Sequence, residues 1–380
     1  MPEHKELQKS ISNLTQLEKH VRLSPRELVK LEQVVQAHPM RISPYYLSLI
    51  DWNDPADPIR KMAVPSAEEL NLAGSYDTSG ETENTKMPGL QHKYSETALI
   101  LTTNRCATYC RFCFRKRFVG LSSAEILKRF DEAAHYVAEH EEINNVLISG
   151  GDPLALNNEI IQIFLEVLSR IDHLRFIRIG SRVPVTLPAR LSDPKLLAIF
   201  RKYSKSEKRL HVVTHFNHPR EITPQSIVAI SNLLKVGVPV SNQTVLLRGV
   251  NDNPETLANL MNRIVSIGVA PYYVFQCRPV RRVKNYFQVP ISRGIKIVEK
   301  AKAGCNGLAK RFKYVMSHLT GKIEILGIVD DEIYFKYHEA KDRENLGVMF
   351  KRQVDEEAAW LDDFKDEAWS SPLVLKCPLP

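Results

Sequence analysis

Residues 98–117 read Ala98-Leu99-Ile100-Leu101-Thr102-Thr103-Asn104-Arg105-Cys106-Ala107-Thr108-Tyr109-Cys110-Arg111-Phe112-Cys113-Phe114-Arg115-Lys116-Arg117, an apolar run followed by cysteines spaced C-x3-C-x2-C. The apolar run predicts a buried strand. The cysteines then fall in the loop leaving its carboxyl end, where barrel-type α/β folds place their chemistry. Three thiolates this close together suit three irons of a 4Fe-4S cubane, since such clusters are held by cysteine and a full set is four ligands. The fourth iron is left open. It can bind the amino and carboxylate groups of S-adenosylmethionine and pass one electron to its sulfonium, releasing a 5'-deoxyadenosyl radical. A zinc site would ask for a fourth protein ligand and commonly a second C-x2-C pair. Cys277, Cys305 and Cys377 are scattered and supply none. Cys106, Cys110 and Cys113 are therefore the expected metal ligands.

The chain has 380 residues, 43% hydrophobic and 25% charged, enough to bury a sizeable core as one large domain with extensions or as two domains. No apolar run approaches the about 18 residues of a membrane span, and the amino terminus has no apolar h-region, so a cytoplasmic protein is expected. Three of the six cysteines are clustered, which fits a reducing compartment and metal ligation better than a disulfide framework. A net charge of +8 suits either nucleic acid or anionic small molecules. The basic residues are dispersed apart from groups at 115–117, 278–284 and 310–313, and no basic stripe with interleaved aromatics appears. Small molecules are the preferred partners, and nucleic acid is not expected.

Residues 1–90 are expected to form a helical amino-terminal extension, with leucines among mixed charges up to Val35 and a Pro-rich passage after it. Between 91 and 300 apolar strands at 98–103, 145–149, 175–180, 210–216, 240–247 and 271–276 alternate with stretches of helical length. That alternation predicts six β/α units on a parallel sheet, an open partial barrel rather than a closed one of eight. Residues 301–380 change to short strands at 312–317, 323–328 and 332–337, expected as an antiparallel extension. The acidic, aromatic tail beginning at Glu356 is expected to pack on the surface or on a second subunit.

Polar residues cluster at the predicted strand ends. Ser149-Gly150-Gly151-Asp152-Pro153 follows the second strand, and its glycine pair allows close approach of a ligand to backbone, so Gly150, Gly151 and Asp152 are candidates for gripping S-adenosylmethionine. A tight turn is the plainer reading. The third strand ends in Arg178-Ile179-Gly180-Ser181-Arg182, the fourth in Thr214-His215-Phe216-Asn217-His218, and the fifth contains Asn242-Gln243-Thr244. Each could be an ordinary polar end; their succession argues for one shared site holding Ser181, Arg182, His215, Asn217 and Gln243 as cofactor contacts.

The passages R-I-S-P-Y-Y-L-S-L-I-D, C-A-T-Y-C-R-F-C-F-R-K-R-F, S-G-G-D-P-L, R-I-G-S-R-V-P-V, T-H-F-N-H-P and N-Q-T-V-L-L-R-G-V-N-D resemble those of the lysine 2,3-aminomutase family of radical S-adenosylmethionine enzymes, from about residue 20 to 300. The resemblance implies a partial (β/α)6 radical-SAM barrel, with the helical preface and small β-containing extension around it. It also implies migration of an amino group between the α and β carbons of an amino acid, with pyridoxal phosphate carrying the migrating nitrogen. An electron donor such as flavodoxin or ferredoxin and a homo-oligomer are implied as well. By the same resemblance Arg115 matches the arginine that pairs with the substrate carboxylate, a role suited to a planar guanidinium.

Three departures stand out. The family's P-G-G-G-G-K run, whose lysine holds the pyridoxal, is replaced by Val315-Met316-Ser317-His318-Leu319-Thr320-Gly321-Lys322, which makes Lys322 the candidate. The arginine for the cofactor phosphate, shortly before the cysteines, is absent from Tyr94-Ser95-Glu96-Thr97. Where lysine-specific members carry an aspartate after Q-C, Gln276-Cys277 is followed by Arg278, which would repel an ammonium and attract a carboxylate. The expected substrate is accordingly glutamate-like rather than lysine. Two other readings stay open: a radical enzyme without pyridoxal phosphate and with a different outcome, and an iron-sulfur electron carrier or nucleic-acid-binding protein.

Overall fold

In the computed structural model, which describes residues 7–205 and 207–364, the repeated apolar runs join one sheet of twelve strands in sequence order. β1 (Thr85–Met87) and β2 (Leu90–Tyr94) stand antiparallel beside β3 (Thr97–Thr103). From β3 the strands are parallel through β4 (Asn145–Gly150), β5 (Phe176–Gly180), β6 (Arg209–Thr214), β7 (Val240–Leu246), β8 (Ala270–Gln276) and β9 (Lys313–His318). β10 (Gly321–Val329), β11 (Glu332–Ala340) and β12 (Met349–Gln353) then turn antiparallel. β1 and β12 do not pair with each other, so the sheet stays open.

Helix α1 (Pro25–Ala37) lies ahead of the sheet; α2 (Phe130–Glu139), α3 (Asn158–Ser169), α4 (Pro194–Tyr203), α5 (Pro224–Lys235), α6 (Pro254–Ser266) and α7 (Ile291–Ala303) follow β3 to β8 in turn. These are the six expected β/α units. Four of the seven helices open on a capping residue followed by proline: Ser24-Pro25, Asp193-Pro194, Thr223-Pro224 and Asn253-Pro254. Each cap side chain accepts a bond from an otherwise unpaired first-turn amide, and proline costs nothing where no amide partner exists.

Two expectations about the flanks change, and the tail takes the first of its two expected placements. Residues 85–94, of which 85–90 were read as part of a helical preface, hold β1 and β2. Their short L-Q-H-K-Y alternation carries too little apolar signal to announce a strand. The strand read at 312–317 as the start of an antiparallel extension is β9, parallel to β8 on one side and antiparallel to β10 on the other. The tail as far as Phe364 packs on its own chain. Trp360 is buried, Ile291 N donates to Ala358 O at 2.8 Å, and Gln276 Nε2 donates to Ala359 O at 2.7 Å. Cys377 lies outside the described residues. Among the described residues no helix is long and apolar enough to cross a membrane.

The cysteines occupy residues 104–129, a stretch with neither helix nor strand. Its buried amides need partners from elsewhere, and the preface supplies them. Tyr109 N donates to Arg41 O and Arg111 N to Met62 O, each at 2.8 Å. Arg111, fully buried, donates Nε and Nη2 to the carboxylate of Glu69 at 2.8 and 2.6 Å, and Lys116 Nζ reaches the same carboxylate at 2.7 Å. Burial alone would raise the pKa of Glu69, but Arg111 and Lys116 hold it below its ordinary value. Glu69→Gln should therefore leave two buried cations without a counter-charge and cost about 3–5 kcal/mol of stability. Chemical denaturation should read this loss as a lower midpoint. An unchanged midpoint would show that the triad is not what pins the loop.

Candidate active site

β3 to β8 end around a cavity of about 350 Å³, and Cys106, Cys110 and Cys113 line it side by side. Burial raises the thiols of Cys106 and Cys113, the latter to about 11, so the thiolates need positive charge beside them to form. Arg182 supplies some. Its Nη1 stands 2.9 Å from Cys110 Sγ, Nε donates to His215 O at 3.1 Å, and Nη2 donates to Tyr46 Oη at 3.0 Å and to the buried Glu221. Among the described residues no three ligating side chains are grouped to hold a single metal ion. A cubane does not need that grouping, since each cysteine holds a different iron. His215 Nε2 and Thr214 Oγ1 are buried on the same lining without partners among the described residues, and burial, aided by Arg182, pulls His215 down to about 3. A neutral imidazole and a hydroxyl are thus available to a polar ligand.

Of the other expected cofactor contacts, Gly150, Gly151, Asp152, Ser181 and Gln243 line the cavity. Asn217 does not. It is fully buried beneath β7, where Oδ1 accepts from Val245 N at 2.9 Å. Asp152 ties strand ends together, accepting from Ser181 Oγ at 2.7 Å and Arg182 N at 2.8 Å. Gly151 lines the cavity and also lies close to its own chain. A Cβ there would stand 2.4 Å from Arg105 O, so the close approach is to the backbone of the cysteine loop. Gly150 has φ +120°, and a Cβ on it would meet Thr103 O at 2.5 Å. The pair is where the loop and β4 pass in contact, and Asp152 N donates to Arg105 O at 2.8 Å across the same seam.

Arg115, Arg278 and Lys322 line the same cavity from three separate parts of the chain. Arg115 Nη1 donates to Ser149 Oγ at 2.9 Å and Gly150 O at 3.1 Å, while its Nε is buried without a partner. Arg278 Nη1 donates to Ser79 Oγ at 2.9 Å and lies 3.4 Å from Glu81, with its guanidinium over the Phe114 ring at 4.2 Å. Lys322 Nζ is 2.6 Å from Glu339 and stands over the rings of Tyr273 and Tyr94. Six cations (Lys93, Arg115, Arg178, Arg182, Arg278 and Lys322) face three carboxylates (Glu81, Asp152 and Glu339) on this lining, an excess that suits anionic groups.

Lys93 was not foreseen. It lies on β2, donates to Ser79 O at 3.0 Å and His318 O at 2.5 Å, and burial with Arg278 nearby pulls it down to about 7. Its signal was only the alternation of Gln91 and Lys93 toward one face. Glu81 and Glu339 carry no motif and are identified by proximity alone.

A family model described as the radical SAM superfamily matches residues 100–261. A protein of Aquifex aeolicus provisionally named L-lysine 2,3-aminomutase is 46% identical over 341 residues, spanning 89% of this chain and 90% of that one. The L-lysine 2,3-aminomutase of Clostridium subterminale is 41% identical over 300 residues, 78% of this chain and 71% of its own. The glutamate 2,3-aminomutase of Clostridioides difficile is 35% identical over 306 residues, 80% of this chain and 71% of its own.

Cys110→Ala should lose bound iron and all 5'-deoxyadenosine formation, whereas Cys305→Ala, remote from the cavity, should keep both. Gly151→Val should lower iron content along with turnover, because its side chain collides with the cysteine loop. Iron assay with chromatography of 5'-deoxyadenosine decides. Full iron in Cys110→Ala would refute the cluster assignment, and full iron in Gly151→Val would refute the seam.

Proposed function

The chain belongs to the lysine 2,3-aminomutase family of radical S-adenosylmethionine enzymes, and from that premise we propose that it moves an amino group between the α and β carbons of an anionic, glutamate-like amino acid. The observation that carries the choice of substrate is Arg278 on the cavity lining, together with the excess of cations around it. When bound, the cluster with S-adenosylmethionine supplies a hydrogen-abstracting radical and pyridoxal phosphate a carrier for the migrating nitrogen.

The residues present divide the work. Cys106, Cys110 and Cys113 would hold the cluster, with the Gly150-Gly151 seam keeping their loop against β4. Arg115 offers a charged fork anchored on Ser149 and Gly150, suited to the α-carboxylate common to amino acids. Arg278 uses Nη1 for Ser79 and Glu81, and its Nε and Nη2 have no hydrogen-bond partner among the described residues. Those donors are free for a second carboxylate. Lys322 would attach the pyridoxal, with Glu339 orienting its amine. A flavodoxin or ferredoxin is the proposed electron donor.

Lys93 gives a second reading of the attachment point, because with a pKa near 7 much of it is neutral and nucleophilic at neutral pH. Borohydride reduction with pyridoxal phosphate should add the pyridoxyl mass to the peptide containing Thr320-Gly321-Lys322, and Lys322→Ala should lose it. Mass on the Lys93 peptide would transfer the role, and no label at all would leave the family chemistry without its nitrogen carrier. Glutamate should promote 5'-deoxyadenosine formation where lysine does not. Arg278→Asp should shift that preference toward lysine by about 100-fold, since like charges in contact cost several kcal/mol. Turnover of lysine by the unaltered protein would sink the substrate proposal.

A further inference from the structure

At the amino ends of the strands, opposite the cysteines, the cavity meets a second hollow of about 290 Å³ and shares Tyr94, Thr97, Arg178 and Glu339 with it. Arg178 sits on β5 between Leu147 of β4 and His211 of β6. Nη2 donates to Asn145 Oδ1 at 2.5 Å and approaches Thr97 Oγ1 at 3.5 Å; Nε is buried and has no partner among the described residues. No carboxylate stands within ion-pair distance of it among the described residues. Glu339, on the same lining, is engaged by Lys322 at 2.6 Å. A half-buried guanidinium with an unsatisfied buried Nε, acted on only from beyond ion-pair distance by Glu339, which Lys322 already engages, points to an anion that arrives from outside the chain. The Tyr94 hydroxyl is likewise buried without a partner, so a second donor is left unused on the same wall.

We propose that Arg178, with Tyr94 and Thr97, is the phosphate anchor of pyridoxal phosphate in this chain. The inference rests on the reading that this cofactor binds, and adds where its phosphate lies. Residues 94–97, the segment that lacks the expected arginine, form one side of this hollow. A guanidinium enters the same space from β5, with Asn145 at the start of β4 between them in register. An arginine fork matches a phosphate, and its charge does not titrate near neutrality. Lys322 opens onto the same cavity, so an attachment point and an anion anchor face one enclosed volume.

The test compares pyridoxal phosphate with pyridoxal, which lacks the phosphate, by equilibrium binding to the cluster-loaded protein. The unaltered chain should prefer pyridoxal phosphate strongly. Arg178→Gln should cut that preference about 10- to 100-fold, as loss of charge-assisted hydrogen bonds does. Iron content, S-adenosylmethionine affinity and pyridoxal affinity should stay unchanged. A full preference in Arg178→Gln overturns the assignment while the cofactor reading survives. Binding of neither compound to the unaltered chain overturns both. A loss of glutamate affinity with unchanged pyridoxal phosphate binding would make Arg178 a substrate contact and defeat the proposal. Should Arg178→Gln not fold, Arg178→Lys is read alone: a reduced preference supports the anchor and an unchanged one refutes it.

Discussion

The buried carboxylate of Glu69, held between Arg111 and Lys116, is the constraint on which the site depends. The cysteine loop has no ladder or helix of its own, so its geometry must be imposed from outside. Arg111 stands between Cys110 and Cys113, and fixing it fixes both. Strong attraction in a dry interior, with each donor directed at one carboxylate, confers position as well as energy. The opposite side of the loop is set by a steric condition. Gly150 and Gly151 let β4 approach Thr103 and Arg105 more closely than any side chain permits. Between the charge clamp and the glycine seam the cysteines have little freedom.

From that fixed point the polar lining of the cavity grades from one end of the strands to the other. Beside the cysteines, Arg182 is shared among Cys110, Tyr46 and Glu221, so its charge is directed at the sulfur and compensated behind it. Farther along, Arg278 is partly neutralised by Glu81, which also serves Arg117. At the amino ends Arg178 has no ion pair among the described residues, and Glu339, which acts on it from farther off, is engaged by Lys322. Removal from water disfavours every one of these charges, and arginine is the side chain whose charge best survives it. Lysine behaves otherwise: burial with Arg278 nearby pulls the half-buried Lys93 down to about 7.

What the sequence disclosed follows from the range of each signal. The cysteine run and the strand-helix alternation are local in the chain, and they survive folding as read. Asn217 looked like a strand-end ligand contact, but a polar residue at such an end serves a backbone amide equally well, and only the packing of β7 shows that it does. Gly151 was recognised as a point of close approach, yet the partner was a loop more than forty residues earlier in the chain, a relation no local pattern encodes. Lys93 and Glu339 come from β2 and β11 in the antiparallel flanks, whose weak alternation hides which face turns inward.

The placement of Arg278 affects more than one contact. An arginine placed over Phe114 and against Ser79 needs a partial counter-charge, and Glu81 supplies it from the segment leading into β1. Glu81 in turn lies against Arg117, two residues past Arg115 in the cysteine loop. A change of charge at Arg278 is therefore transmitted through one carboxylate to the loop that carries the cysteines. On the substrate reading proposed above, specificity would be a property of that linked set. Exchanging Arg278 alone leaves Glu81 and Arg117 arranged for a cation that is no longer there, so a change of substrate that retains full turnover requires the set to change together.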